Sequence, residues 1–171
     1  MIKVGIGQDS HRIVDYADKT DDGKKNKPLV LGGLTLKEKY TLEGNSDSDV
    51  VFHAMTNAIS GITGKPILGP IADKLCKKGI VNSAVYLEKA LEDLADKGYA
   101  LSHISISLEC ARPKILPLLS KMKWSIAKVT GLEEENIGIT ATTGEKLTAF
   151  GKGEGVQAFA CATATRLPRK T

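Results

Sequence analysis

Residues 100–110, Ala-Leu-Ser-His-Ile-Ser-Ile-Ser-Leu-Glu-Cys, alternate apolar and polar side chains. That alternation is the mark of a half-buried strand, and it commits the chain to a sheet with one covered face. Other segments fit the same plan. Ile2, Val4 and Ile6 alternate with small or polar residues over 2–8, so a half-buried strand is expected almost at the terminus. Leu29–Leu31 and Leu34–Leu36 flank Gly32-Gly33 and read as two short strands around a turn. Ile137–Thr142 and Gly155–Leu167 read as two further strands. Between them lie helical patterns. Val50–Ile62 places Val51, Met55, Ala58 and Ile59 on one face, with Asp47 and Asp49 at its positive end. Ser83 is a candidate cap for a helix over Ala84–Lys97 that stops at Gly98. Pro113 is expected to open a helix reaching about Val129 and closed by Gly131. Residues 63–79, rich in Gly, Pro and Lys, read as a loop holding a short helix, and the charged run 15–28 as an exposed loop or ribbon tip whose charges are solvated. The pattern predicts an α+β fold: one domain over 1–171, a mixed β-sheet with helices packed on one face.

Composition narrows the function. A chain of 171 residues, 42% apolar and 26% charged, suits one ordinary globular core. No segment has the apolar length of a membrane span, and the first residues lack a signal peptide's apolar region. The net charge of +4 tolerates anionic substrates but falls short of a nucleic-acid signature, and 5% aromatic residues offer few stacking platforms. Cys76, Cys110 and Cys161 form no Cys-x-x-Cys, so three buried free thiols in a reducing cytoplasm are expected.

The chemistry concentrates in three places. Asp9 and His11 sit two residues apart on an expected strand, so both point to one face and can converge on a cation. Imidazole plus carboxylate is an ordinary ligand pair for a catalytic zinc ion with an open position. The chain has three histidines, so a third ligand is His53 or His103, and the acidic cluster 47–49 favours His53. The second place is Ala141-Thr142-Thr143-Gly144-Glu145-Lys146, directly after a strand. Hydroxyls there suit phosphate oxygens, and Glu145 suits a hard cation, although the same residues could form a capped turn. It is not a Walker A loop. The third is Gly151-Lys152-Gly153-Glu154-Gly155, where glycines permit close approach and Lys152 offers a positive charge. No serine or cysteine nucleophile has a recognisable setting.

Five segments together resemble the 2-C-methyl-D-erythritol 2,4-cyclodiphosphate synthase family of the non-mevalonate isoprenoid pathway. They are Gly-Gln-Asp-Ser-His at 7–11, Ser-Asp-Ser-Asp-Val-Val-Phe-His at 46–53, Arg-Pro-Lys at 112–114, Ala-Thr-Thr-Gly-Glu-Lys-Leu at 141–147 and Gly-Lys-Gly-Glu-Gly at 151–155. The resemblance implies a lyase that expels CMP while closing a cyclic diphosphate. It assigns Zn²⁺ to Asp9, His11 and His53, and a second cation, Mg²⁺ or Mn²⁺, to Glu145. It gives Thr143 a part in steadying the transition state and places Thr142 beside the substrate. Cys110, Arg112, Pro113, Lys114 and Leu116 are implied to line a cytidine pocket, with Ser10, Ser46, Gly144 and Lys152 also on the substrate side. A cytoplasmic homotrimer with active sites between subunits is implied, with a small cytidine-diphosphate substrate and neither nucleic acid nor membrane as partner.

Several positions depart from the family pattern. Asn45 stands where a histidine usually helps to hold the reacting phosphates, and it keeps a hydrogen-bond donor without the charge. The loop 65–73 lacks the usual acidic residue for the erythritol hydroxyls, which leaves Asp73 as the nearest candidate. Ala149 replaces a phenylalanine, with Phe150 beside it, and Lys152 replaces an arginine. Rival readings are a zinc-dependent phosphohydrolase and an inactive homologue that binds isoprenoid diphosphates.

Overall fold

A computed structural model describes residues 1–16 and 27–168. The chain runs β1 (Ile2–Asp15), β2 (Leu29–Leu31), β3 (Leu34–Leu36), β4 (Tyr40–Leu42), α1 (Val50–Thr63), α2 (Pro70–Lys77), α3 (Ser83–Asp96), β5 (Tyr99–Glu109), α4 (Leu119–Thr130), β6 (Ile137–Thr142) and β7 (Gly155–Arg166). Five strands form one sheet in the order β4-β1-β7-β5-β6, and β2 and β3 form a separate hairpin. Only β5 and β6 pair in parallel, joined by a crossover through α4; the other pairs of the large sheet are antiparallel. The sheet is mixed and the fold is α+β, as the sequence predicts.

The covered face of the sheet is built from small residues. Ala158, Ala160, Ala162 and Ala164 of β7 are buried, and they lie opposite Asp9, Gly7, Gly5 and Lys3 of β1. Small side chains let α1 settle close to the strands. A Cβ on Gly7 would overlap the Ala54 carbonyl oxygen and the Ala58 amide nitrogen, and one on Gly5 would overlap the Ala58 carbonyl oxygen. Glycine in a strand here marks close backbone approach, and it sets how near α1 comes to β1.

That arrangement corrects one expectation. The alternation over 2–8 is real, but the covered side is the glycine side. Ile2, Val4 and Ile6 are 68%, 60% and 74% exposed, and Phe159 of β7 is also exposed. Strand β1 also runs on to Asp15, because Ile13, Val14 and Asp15 find partners in β4.

Two helix starts differ from prediction. Asn82, not Ser83, caps α3, its side chain accepting from the Ala84 amide at 2.9 Å. The helix expected from Pro113 begins at Leu119, after a 3-10 turn at Leu116–Leu118. Pro117 explains the delay, since a proline is tolerated in a first turn but not in a helix interior. Of the three cysteines, all free, only Cys110 is buried; Cys76 and Cys161 are half-buried. Residues 17–26 of the charged run lie outside the described residues. Lys27 does not behave as solvated surface: its ammonium donates to the Gly44 and Ser46 carbonyls at 3.0 and 2.8 Å and to the Ser48 hydroxyl. Among the described residues, no helix is long and apolar enough to cross a membrane.

Candidate functional site

Asp9 and His11 follow Gly7 along the covered side of β1, and His53 immediately precedes Ala54, the residue that Gly7 admits. The close approach of α1 therefore brings His53 onto the two strand ligands. Asp9 Oδ2 lies 2.9 Å from both His11 Nε2 and His53 Nδ1, and the two imidazole nitrogens are 3.3 Å apart. One ligating atom from each residue falls within 4.8 Å of the others, the one such cluster of three among the described residues. Two imidazole nitrogens and a carboxylate oxygen form a three-ligand set that leaves room for a fourth, exchangeable partner. Burial raises the Asp9 pKa, but the hydrogen bonds and positive charge offered by His11 and His53 outweigh it and bring the carboxyl to about 2. His103 is exposed on the other face of the sheet and takes no part.

The acidic cluster before α1 supports the site without entering it. Asp49 is fully buried. Its Oδ1 accepts from Val51 and Phe52 amides at 3.0 and 3.2 Å, capping α1. The same carboxylate accepts from the Gly32 and Gly33 amides at 2.8 and 2.6 Å. Both glycines have positive φ, +56° and +77°, as a tight two-residue hairpin turn requires. Desolvation pushes the Asp49 pKa upward, and the amides of Gly33, Gly32 and Phe52 oppose that shift. Asp47 turns instead to Ser83: its Oδ2 accepts from the Ser83 amide at 2.9 Å and its Oδ1 from the Ser83 hydroxyl. The Ser83 hydroxyl in turn lies 2.8 Å from His53 Nε2. Ser83, read from sequence as a cap, thus touches the candidate metal centre.

Asp9, His11 and His53 open onto a cavity of about 330 Å³ whose walls include Asn45, Ser46, Asp73 and Tyr86. A second cavity, of about 350 Å³, is lined by Cys110, Pro113, Lys114, Leu116, Thr142 and Thr143, among others. The two cavities share no lining residue. Burial, aided by the neighbouring Glu109, pushes the Cys110 thiol up to about 11 against the pull of Lys114, so Cys110 is a wall and not a nucleophile.

Arg112 does not point into the second cavity as the sequence reading implied. Its guanidinium grips Asp15 through two bonds of 2.9 and 2.8 Å and lies 4.5 Å from the Tyr40 ring centre. That bidentate geometry ties β1 to the bend at 110–113, and it holds the Asp15 carboxyl below its ordinary value. Glu145 is exposed in a tight left-handed turn over Gly144–Lys146, where all three residues have positive φ, +66°, +48° and +62°. Such backbone in non-glycine residues is uncommon and concentrates at functional loops. Glu145 accepts from the Thr143 hydroxyl at 3.3 Å and stands apart from the three-ligand cluster. A Cβ on Gly144 would overlap the Glu109 carboxylate beneath it. Ser10 faces the side of β1 opposite Asp9, in a smaller cavity of about 240 Å³ with His11, Arg12, Phe150 and Glu154. Lys152 is exposed and lines neither the three-ligand cavity nor the threonine cavity.

Comparison with known proteins gives this fold a family. The family model described as the YgbB family matches residues 2–165. A 2-C-methyl-D-erythritol 2,4-cyclodiphosphate synthase of Chlamydia trachomatis serovar L2b is 48% identical over 162 residues, 94% of this chain and 86% of that protein. The crystal structure of the synthase from Plasmodium vivax superposes with a TM-score of 0.80 at 25% identity, covering 98% of this chain and all of that one. The IspF–CDP complex of Plasmodium falciparum gives 0.79 at 25% identity, covering 98% and 97%. With the match spanning nearly every described element of the fold, the chain belongs to the YgbB family.

Proposed function

We propose that this enzyme converts 4-diphosphocytidyl-2-C-methyl-D-erythritol 2-phosphate to 2-C-methyl-D-erythritol 2,4-cyclodiphosphate and CMP, a phosphorus–oxygen lyase reaction. The observation that carries the reading is the convergence of Asp9, His11 and His53 within 4.8 Å beside a substrate-sized cavity, in a chain 48% identical to a named synthase. An oxygen of the substrate's own 2-phosphate attacks the β-phosphorus, and the bond from β-phosphorus to the bridging oxygen breaks, so CMP leaves with that electron pair. Positioning and charge neutralisation do most of the work in such a transfer, and no protein nucleophile is required.

The donor set at Asp9, His11 and His53 fits Zn²⁺, with one coordination position left for substrate. The lone exposed carboxylate of Glu145 fits Mg²⁺ or Mn²⁺, which bind through few protein ligands and share substrate phosphates. When bound, these ions supply polarisation of phosphoryl oxygens and offset the charge on departing CMP. Asn45, at the mouth of the same cavity, donates from its carboxamide to phosphate oxygens, and Asp73 and Ser46 accept from the erythritol hydroxyls. Pro113, Leu116 and Cys110 give the cytosine ring apolar walls, while Lys114, Thr142 and Thr143 offer donors to the nucleotide's oxygens.

Two observations support a homotrimer. The three-ligand cavity and the threonine cavity are separate on one chain and share no lining residue, which suits a site that joins the first cavity of one subunit to the second of its neighbour. The exposed Ile2, Val4, Ile6 and Phe159 also present an apolar sheet face of the kind that marks an interface. This reading assigns Ser10, Gly144 and Lys152 to the boundary where the adjoining subunit closes the site. Three free thiols support a cytoplasmic location.

Metal removal tests the proposal. Protein stripped with a chelator is expected to release no CMP from the substrate, and adding Zn²⁺ with Mg²⁺ is expected to restore release. Full-rate CMP release from stripped protein would overturn it. A hydrolase would instead give open-chain products, and a binding protein no CMP.

A further inference from the structure

We propose that Ser83 and Asp47 are positioning residues that hold a proton on His53 Nε2, against the pull of Asp9 on Nδ1, so that Nδ1 is the nitrogen that ligates a metal. The inference rests on the metal-site reading above and adds the means by which the chain prepares its most buried ligand.

The donor count fixes the protons. Asp47 is an acceptor at both oxygens, taking the Ser83 amide on Oδ2 and the Ser83 hydroxyl on Oδ1; the Asp49 amide also donates to Oδ1, at 3.1 Å. A serine hydroxyl carries a single proton, and here it is committed to the carboxylate. Ser83 Oγ can therefore meet His53 Nε2, 2.8 Å away, only as an acceptor. Nε2 must then carry a proton. Nδ1 lies 2.9 Å from the Asp9 carboxylate and 3.3 Å from His11 Nε2; the ionised carboxylate draws a proton toward Nδ1, and the bond to Ser83 opposes that pull by keeping one on Nε2, the form whose Nδ1 lone pair can ligate.

Three features make the arrangement a fixed one. Ser83 is completely buried and His53 only 7% exposed, so their contact is shielded from bulk solvent. Ser83 is the first residue of α3, pinned through its own amide to Asp47 and followed by a capped helix. The Tyr86 ring, one helical turn on, stacks on the imidazole at 6.2 Å between centroids and an interplanar angle of 27°, restricting rotation of the ring. The remaining neighbour, Ser46 Oγ, lies 3.4 Å from Nε2 and itself accepts from the Ser48 amide. A hydrogen bond on the far nitrogen of a ligating histidine orients the ring, fixes the tautomer and strengthens the ligand. In this chain the partner is a serine backed by a carboxylate.

The test reads imidazole nitrogens by long-range proton–nitrogen NMR on metal-free protein in mildly alkaline buffer, with zinc affinity measured separately by chelator competition. The chain has only three histidines, so the signals are separable. Wild-type His53 is expected to show a protonated Nε2. Ser83→Ala is expected to let Asp9 draw the proton to Nδ1, giving the Nδ1–H pattern, and to weaken zinc binding about 10–100-fold, while Ser83→Thr, which keeps the hydroxyl, restores both. Should Ser83→Ala not fold, Asp47→Asn gives the same two readouts from the other end of the relay. A Ser83→Ala protein with wild-type tautomer and wild-type zinc affinity overturns the proposal alone. Wild-type protein that binds no zinc overturns the metal-site reading and this proposal with it.

Discussion

Replacing His53 by alanine is expected to abolish zinc binding and to lower CMP release by at least about 10³-fold, since a metal at a phosphoryl group supplies several kcal/mol of charge stabilisation and each 1.4 kcal/mol is tenfold. The remaining pair, Asp9 and His11, still sits on β1, but two ligands from one strand cannot enclose an ion that prefers four partners. The fold is expected to survive. His53 contributes no backbone capping, and its loss leaves a small space beside Ser83 and Tyr86. Circular dichroism and a melting curve close to those of the parent would separate loss of metal from loss of structure. A folded His53→Ala protein that turns over at the parental rate without zinc contradicts the assignment.

Asp49→Ala is expected to act on stability instead, costing about 3–5 kcal/mol in urea unfolding. One carboxylate serves four backbone amides, two at the start of α1 and two in the Gly32-Gly33 turn. Loss of a helix cap costs about 1 kcal/mol, and each buried amide left without a partner about 1–3 kcal/mol. Relief of the buried charge returns part of that cost. Asp49→Asn is the informative companion. An amide oxygen in the Oδ1 position keeps three of the four bonds and leaves only Gly33 facing a donor, so a loss of about 1–3 kcal/mol is expected. Equal losses for the two variants would contradict the account of Asp49 as an acceptor hub. Because α1 carries His53 one turn after this cap, both variants are also expected to weaken zinc binding.

The parts of this molecule that sequence makes legible are those governed by local periodicity. Strand β5 shows its alternation plainly, β6 and β7 follow their expected bounds to within a residue, and Asp9 and His11 share a face because they are two residues apart on β1. The preference for His53 over His103 rests on the acidic cluster 47–49 just before its helix, although Asp47 and Asp49 support the site without joining the ligand cluster. Long-range partnerships are different. Ser and Asn are both good caps, so residues 82 and 83 cannot be ranked locally; the decisive partners of Ser83 are Asp47 and His53, 36 and 30 residues away. The face of β1 that is covered could not be read from hydrophobicity, because the side packed against α1 carries Gly5 and Gly7, while Ile2, Val4 and Ile6 are exposed. Arg112 reads as a substrate contact from its motif, but Asp15, 97 residues away, holds its guanidinium. Lys27 was hidden in a charged run, and its three acceptors lie 17 to 21 residues later.

Asn45 and Asp73 both line the cavity beside the three ligands, which sets a hydrogen-bond donor and a carboxylate there.

The most direct measurement is a phosphorus NMR time course of the purified protein with Zn²⁺, Mg²⁺ and 4-diphosphocytidyl-2-C-methyl-D-erythritol 2-phosphate. Two mutually coupled cyclic-diphosphate resonances growing in step with the CMP signal are the predicted result. Unchanged substrate with zinc bound at Asp9, His11 and His53, or CMP accompanied only by open-chain phosphates, would contradict the assignment of this chain as a cyclising lyase.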